Sequence, residues 1–222
     1  MGKTQEIGEE LKSVLSGRTI DALLPPLLFV IANGFLRLEI AVVGAVGLAV
    51  LLTGFRIIRG QRWFYALVGL LGVGLAAGLA LLTRDAASYF IPTIIGSGLV
   101  FLVMIISNLV GKPLAAWLSH LTRGWPLEWF WRDDVKPAYT EVTWVWALLV
   151  ATRLTIQVIL FQRGDATALG WANILLGWPV TIAVLVLSYI YGIWRLRQLG
   201  GPGVHEFREG KTPPWEGQTR GF

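Results

Sequence analysis

The stretch Glu141–Gln162, EVTWVWALLVATRLTIQVILFQ, decides how the rest of the chain is read. It is almost wholly apolar, and at about 20 residues it is long enough to cross a bilayer as a helix. Near its centre stands Arg153, a side chain that stays charged in any protein environment. An apolar helix that keeps such a charge is a transmembrane helix with its polar face turned away from lipid. The whole chain supports this reading. Of its 222 residues, 55% are hydrophobic and only 15% charged, against about 25% charged in a soluble domain. The mean hydropathy is +0.62, and the apolar residues come in blocks.

Six such blocks are expected to span: Ile20–Phe35, Leu38–Phe55, Trp63–Thr83, Ser88–Asn108, Val142–Phe161 and Ala168–Trp194. The first is short, holds Pro25 and Pro26, and either forms a tight hairpin with the second or re-enters the membrane. The last contains Pro179, which predicts a tilt or kink. The fold class is therefore all-α: a polytopic bundle of six transmembrane helices over residues 20–197, both termini cytoplasmic. Positive charge gives an independent check. With six spans and cytoplasmic ends, fifteen Lys and Arg fall on the inside, three (Arg37, Arg84, Arg163) on the outside, and Arg153 within a span. Cytoplasmic loops carry such an excess. The net charge of +5 thus reports orientation, and no nucleic-acid partner is expected.

Three flanking segments have their own character. Residues 1–19 lack the apolar core of a signal peptide, and Glu6 breaks a myristoylation motif. Ile7, Leu11, Val14 and Leu15 sit at helical spacing, as in an amphipathic helix lying on the membrane. In residues 111–136, Leu114, Trp117, Leu118 and Leu121 form one helical face, followed by WPLEWFWRDD. This segment is expected along the cytoplasmic interface, with Lys112 placed for anionic headgroups. Trp117, Trp125, Trp129 and Trp131 serve either as interfacial anchors or as a docking surface for a partner. Residues 198–222, rich in Gly and Pro, are expected as a flexible cytoplasmic tail; the alternative is a strap anchored by Phe207, Trp215 and Phe222.

Candidate chemistry is sparse. The chain has no cysteine and two histidines, His120 and His205, both outside the apolar blocks. Disulfides, thiolate metal sites and intramembrane histidine ligands are excluded, no cofactor is expected, and no catalytic motif appears, so the chain reads as a non-enzyme. Arg153 and Gln157, one turn apart on one face, form the candidate polar site, with Glu39 at the outer end of the second span as the expected counter-charge; they either fix helix register through interhelical hydrogen bonds or form an anion or lipid-headgroup site. In the third span Gly74 and Gly78 form a GxxxG, a close-packing motif within the chain or in a dimer.

The order of features resembles a bacterial family. DALLP (21–25), the basic segment with Arg56, Arg59 and Arg62, NLVGKPL (108–114), WRDD with the following Tyr139 and Thr140, and WALLVATRLTIQ (146–157) are similar to the uncharacterised DUF 3159 membrane family, related to the intracellular septation protein A group. The resemblance covers Ser16 to Arg197. It implies a small multi-pass protein of the bacterial inner membrane, and the septation group carries a link to cell-envelope synthesis and division. Lys112, Pro113 and Leu114 look like a shared K/R-P-L, and Trp146 like a shared tryptophan. Arg153 and Gln157 resemble the DUF 3159 branch alone. Two functions follow as expectations: an accessory or assembly subunit of an envelope, respiratory or photosynthetic membrane complex, with lipids and other membrane subunits (or a second copy) as partners, or a small transporter or lipid- and anion-handling protein built around Arg153 and Gln157.

Overall fold

The computed structural model describes residues 17–60, 63–219 and 221–222, with side chains described from residue 24 onward except at 63, 65 and 66. The expected amphipathic face of Ile7, Leu11, Val14 and Leu15 lies outside these residues. All regular structure among the described residues is helical. Among the described residues there are ten α-helices: α1 Gly17–Phe35, α2 Leu38–Ile58, α3 Trp63–Thr83, α4 Ile91–Leu109, α5 Leu114–Arg123, α6 Leu127–Phe130, α7 Lys136–Gln162, α8 Ala166–Leu175, α9 Trp178–Leu199 and α10 Val204–Arg208, with a 3-10 turn at Ala86–Phe90. Four stretches are long and apolar enough to cross a membrane: Leu38–Ile58, Ala86–Leu109, Lys136–Gln162 and Ala166–Leu199. Leu24–Phe35 and Leu67–Thr83 are shorter apolar helices.

Local sequence explains where the helices depart from the hydropathy blocks. Pro25 and Pro26 lie inside α1 without ending it, and Leu36 and Arg37 alone link α1 to α2. α7 starts at Lys136, about a turn and a half before the apolar run. Pro137 suits a first helical turn because no backbone N–H is needed there. The last block is two helices, broken at Leu176–Gly177 just before Pro179, as a proline's clash with the preceding turn requires.

The chain divides into two compact units: residues Met1–Ser97 with Arg153–Val180, and Gly98–Thr152 with Thr181–Phe222. In the first, α1, α2 and α3 pack through small residues. Ala41 and Ala45 of α2 and Ala77 and Ala80 of α3 are buried with Phe29 and Val30 of α1 and Leu169 of α8. Alanines let helix backbones approach closely, which supplies packing where lipid gives no hydrophobic drive. Phe29 stacks on Tyr89, ring centroids 4.0 Å apart and 10° from parallel. Gly170 completes this contact: a Cβ there would overlap the side chain of Val30.

The second unit is built on an aromatic core. Trp129, Phe130, Tyr139 and Val135 are fully buried together with Ala116, Leu196 and Val204. Gly124, in the left-handed conformation at φ 65°, ends α5 and turns the chain into α6, a position that favours glycine. Further along, Glu141 of α7 binds Arg195 of α9 through paired contacts of 2.8 to 3.1 Å and accepts a 2.7 Å bond from the Tyr191 hydroxyl. Trp146 Nε1 donates to Ser188 Oγ at 3.0 Å. These cross-links fasten α7 to α9.

Composition leads one to expect a flexible tail over residues 198–222; in the structure this segment packs as a strap. Phe222 stacks on Tyr139 at 4.3 Å and 7° and lies so close to Gly192 that a Cβ would overlap its ring. Trp129 donates its indole N–H to the Pro202 carbonyl at 2.9 Å in a buried position. Arg132, held by Asp134 through two bonds of 2.7 and 2.8 Å, faces the rings of Phe207 and Trp215. The Glu206 carboxylate accepts from the backbone N–H groups of Gly203, Glu216 and Gly217 at 2.7, 2.8 and 3.1 Å. A Gly- and Pro-rich segment has no core of its own, but here it borrows one from Tyr139 and Trp129.

Candidate functional site

The polar site lies on the hairpin of α7 and α8, inside the first unit. Gly164, at φ 67°, turns the chain, and the Asp165 side chain caps α8 by accepting from the Ala168 N–H at 2.8 Å. Arg153 and Asn173 stand about equally far from this turn, one on each arm, and they meet: Arg153 Nη2 donates to Asn173 Oδ1 at 3.2 Å. Gln157 Nε2 donates to the same oxygen at 2.6 Å. Asn173 Nδ2 donates to the Leu169 carbonyl at 2.8 Å, one turn back on its own helix. Gln157 is 1% exposed.

The structure thus joins Arg153 and Gln157, as their spacing predicts, and adds Asn173, which sequence reading missed. Its signal was a lone amide in the apolar run WANILLGW, opposite Arg153 across the hairpin turn. The expected partner Glu39 is not at this site among the described contacts. It lies exposed in the first turn of α2, whereas the side chain that meets Arg153 is the neutral Asn173 of α8. Two polar atoms of the site are buried with no hydrogen-bond partner, Arg153 Nε and Gln157 Oε1. Leaving such atoms unmade costs about 1–3 kcal/mol each. Thr152, on the exposed side of α7, bonds back to the Leu148 carbonyl at 2.9 Å and takes no part.

The other sequence-predicted residues are dispersed. Among the described residues, a Cβ built on Gly74 or Gly78 meets nothing within 4 Å; Ala76, Ala77 and Ala80 carry the buried face of α3 instead. Trp129 is fully buried, so it presents no face to a partner. Its ring meets Trp125, Phe130 and Tyr139 edge-on. Trp117, Trp125 and Trp131 are half-buried, with Trp117 and Trp131 in ring contact at 5.8 Å. Lys112 is exposed and lies 6.0 Å from the Trp131 ring. No group of three His, Asp or Glu side chains among the described residues could hold a metal ion.

An all-helical chain with four spans' worth of apolar helix and a charged residue inside one of them defines a membrane-type protein with an intramembrane polar cluster. A family model described as "Protein of unknown function (DUF3159)" matches residues 16–196, and the chain belongs to that family. No curated protein and no solved structure matches it.

Proposed function

We propose that this chain is a multi-pass protein of the bacterial inner membrane, with six spans and cytoplasmic ends, that binds an anionic group at the cluster of Arg153, Gln157 and Asn173. The observation that carries the reading is the unbalanced charge of Arg153. An arginine at a helix centre costs about 2.5–3.5 kcal/mol on insertion scales. Its one described partner is a neutral amide oxygen at 3.2 Å, which offsets none of the charge. Ionisable residues within membranes usually pair with one another or with backbone carbonyls. Arg153 lies nine residues from the end of α7, about 13 Å, so in this topology it sits on the outer side of the midplane. The role is binding, transport or lipid handling, without a catalytic step and without a cofactor.

Native mass spectrometry of the chain extracted from its own membranes tests this. An anionic adduct that disappears in Arg153→Gln supports the reading. An adduct pattern identical in the two proteins rejects it.

A second reading, an accessory subunit of a larger membrane complex, draws support from the open glycines of α3. Gly69, Gly72 and Gly74 are exposed with no neighbour within 4 Å of a Cβ, a face suited to another helix. To this reading we attach the expected kinship with the septation group and, with it, an envelope role. Migration of the extracted protein with a fixed set of larger subunits on a native gel would favour it.

A further inference from the structure

The amide orientations at the site are fixed by its own hydrogen bonds. The Leu169 carbonyl can only accept, so Asn173 must turn its Nδ2 toward it. Asn173 Oδ1 then faces Arg153, which can only donate. Gln157, sharing that oxygen, must present Nε2. Among the fully buried atoms, one donor, the Nε–H of Arg153, and one acceptor, Oε1 of Gln157, are left without a partner. Each is one atom removed from a nitrogen that meets Asn173 Oδ1. The site therefore lacks a group that brings three things together: negative charge, an acceptor oxygen for Arg153 and an O–H for Gln157.

Resting on the anion-binding reading above, we propose that the group is a singly protonated phosphate monoester, P–O⁻ toward Arg153 Nε and P–O–H toward Gln157 Oε1. The alternatives each miss one requirement. A carboxylate has charge but no O–H, and a carboxylic acid has the O–H but no charge. Sulfate and phosphodiesters carry charge without the proton. A zwitterionic headgroup supplies a donor but cancels the charge. A phosphate monoester has its second ionisation near pH 6, and removal from water favours the less charged form.

Both orphan atoms are sealed by surrounding side chains in this state. Admission requires the guanidinium to swing out, and its described tether is the single 3.2 Å bond to Asn173. Gln157 is held by the shorter 2.6 Å bond and stays as the fixed half of the site. The chemistry is shared by a phosphatidic-acid headgroup and by a soluble phosphate monoester.

The test uses the full chain in nanodiscs of zwitterionic lipid at pH 6. Phosphatidic acid, phosphatidylmethanol (a diester without an O–H) and glycerol phosphate are titrated in turn. Phosphatidic acid is expected to bind about tenfold more tightly than phosphatidylmethanol, the worth of one hydrogen bond. Gln157→Leu should bind the two lipids alike, and Arg153→Gln should bind neither. Arg153→Lys, which keeps the charge but not the Nε–H, should bind both lipids more weakly and keep the preference, which resides at Gln157; it serves if the glutamine variant does not fold. Competition by glycerol phosphate at the phosphatidic-acid affinity identifies a soluble ligand; its failure to compete identifies the lipid. Equal binding of both lipids by the unaltered chain, still dependent on Arg153, overturns the monoester while leaving the anion site standing. Binding of neither lipid, or binding unmoved by Arg153→Gln and Arg153→Lys, overturns both.

Discussion

Glu206 and Arg153 are two charged side chains with opposite surroundings. Each oxygen of Glu206 meets backbone N–H groups of the folded strap, three bonds in all. Arg153 has one described bond, to a neutral amide, and its Nε is unpaired, as is Gln157 Oε1. A polar group whose capacity is filled by its own chain has finished its work as a fastener. One left part-filled in a buried place raises the energy of the resting state, and something outside the chain is needed to lower it. The contrast separates structure from binding: the strap is closed chemistry, the α7–α8 hairpin open chemistry.

The sharpest way to break this contrast is to injure each region and compare signs. Trp129→Ala removes a fully buried ring and strands the Pro202 carbonyl. Truncations of buried aromatics cost about 3–5 kcal/mol, so the melting temperature should fall and the strap should become a protease target. Arg153→Met should move the other way. It removes an uncompensated charge from an apolar helix and leaves Gln157 its bond to Asn173. Without ligand, stability in lipid should rise by about 2 kcal/mol, somewhat less than the cost of placing arginine there. Loss of stability comparable to that of Trp129→Ala would make Arg153 a structural residue and erase the distinction.

How much of this was legible beforehand differs between the same two regions. The apolar blocks announced α2 and α3 nearly to the residue, because lipid-facing helices are written in composition alone. Arg153 and Gln157 were also legible, since a helical period puts i and i+4 on one face. Glu39 was a poor choice of partner because charge complementarity ignores the chain's path, whereas the turn at Gly164 brings Asn173 back to Arg153. Asn173 could have been found from that turn. The strap could not. Its anchors Phe207, Trp215 and Phe222 are spaced by Gly and Pro, with no period, and its polar contacts join a carboxylate to backbone N–H groups whose placement depends on the finished loop. Trp129 belonged to a run that reads as an interfacial belt. Its burial follows only once Pro202 and Tyr139 are brought to it from far along the chain.

Acid should open the strap before it disturbs the hairpin. The backbone N–H of Gly203 first, and those of Glu216 and Gly217 with it, hold the Glu206 carboxyl below its ordinary range. A carboxylate depressed in the folded state adds stability above its unfolded pKa, about 4.3. That contribution fades as pH falls through the lower folded value. Protease cleavage within residues 200–222 should therefore increase below about pH 4. Glu206→Gln should cleave readily at every pH, with the acid step flattened. A step of unchanged size in that variant would assign it to another carboxylate, such as Glu209, which Lys211 also holds low.

The smallest effect is expected from Phe222→Ala, and it is the most informative about how the strap holds. The Phe222 ring lies flat on Tyr139 at 4.3 Å, an arrangement worth about 0.5–1.5 kcal/mol beyond the area it covers. The Gly221 N–H next to it donates to the Tyr189 hydroxyl at 3.3 Å, and the Gly221 carbonyl accepts from Gln218 at 3.3 Å. Those long bonds are weak without the ring to seat them. The end of the strap should loosen alone, while the loop closed by Glu206 stays folded, because its short bonds to Gly203 and Glu216 do not pass through Phe222. Hydrogen exchange resolves the two: faster exchange confined to residues 219, 221 and 222 is the expected pattern. Equal acceleration at Gly203 and Glu216 would mean that ring and carboxylate act as one latch, and that the strap lets go all at once.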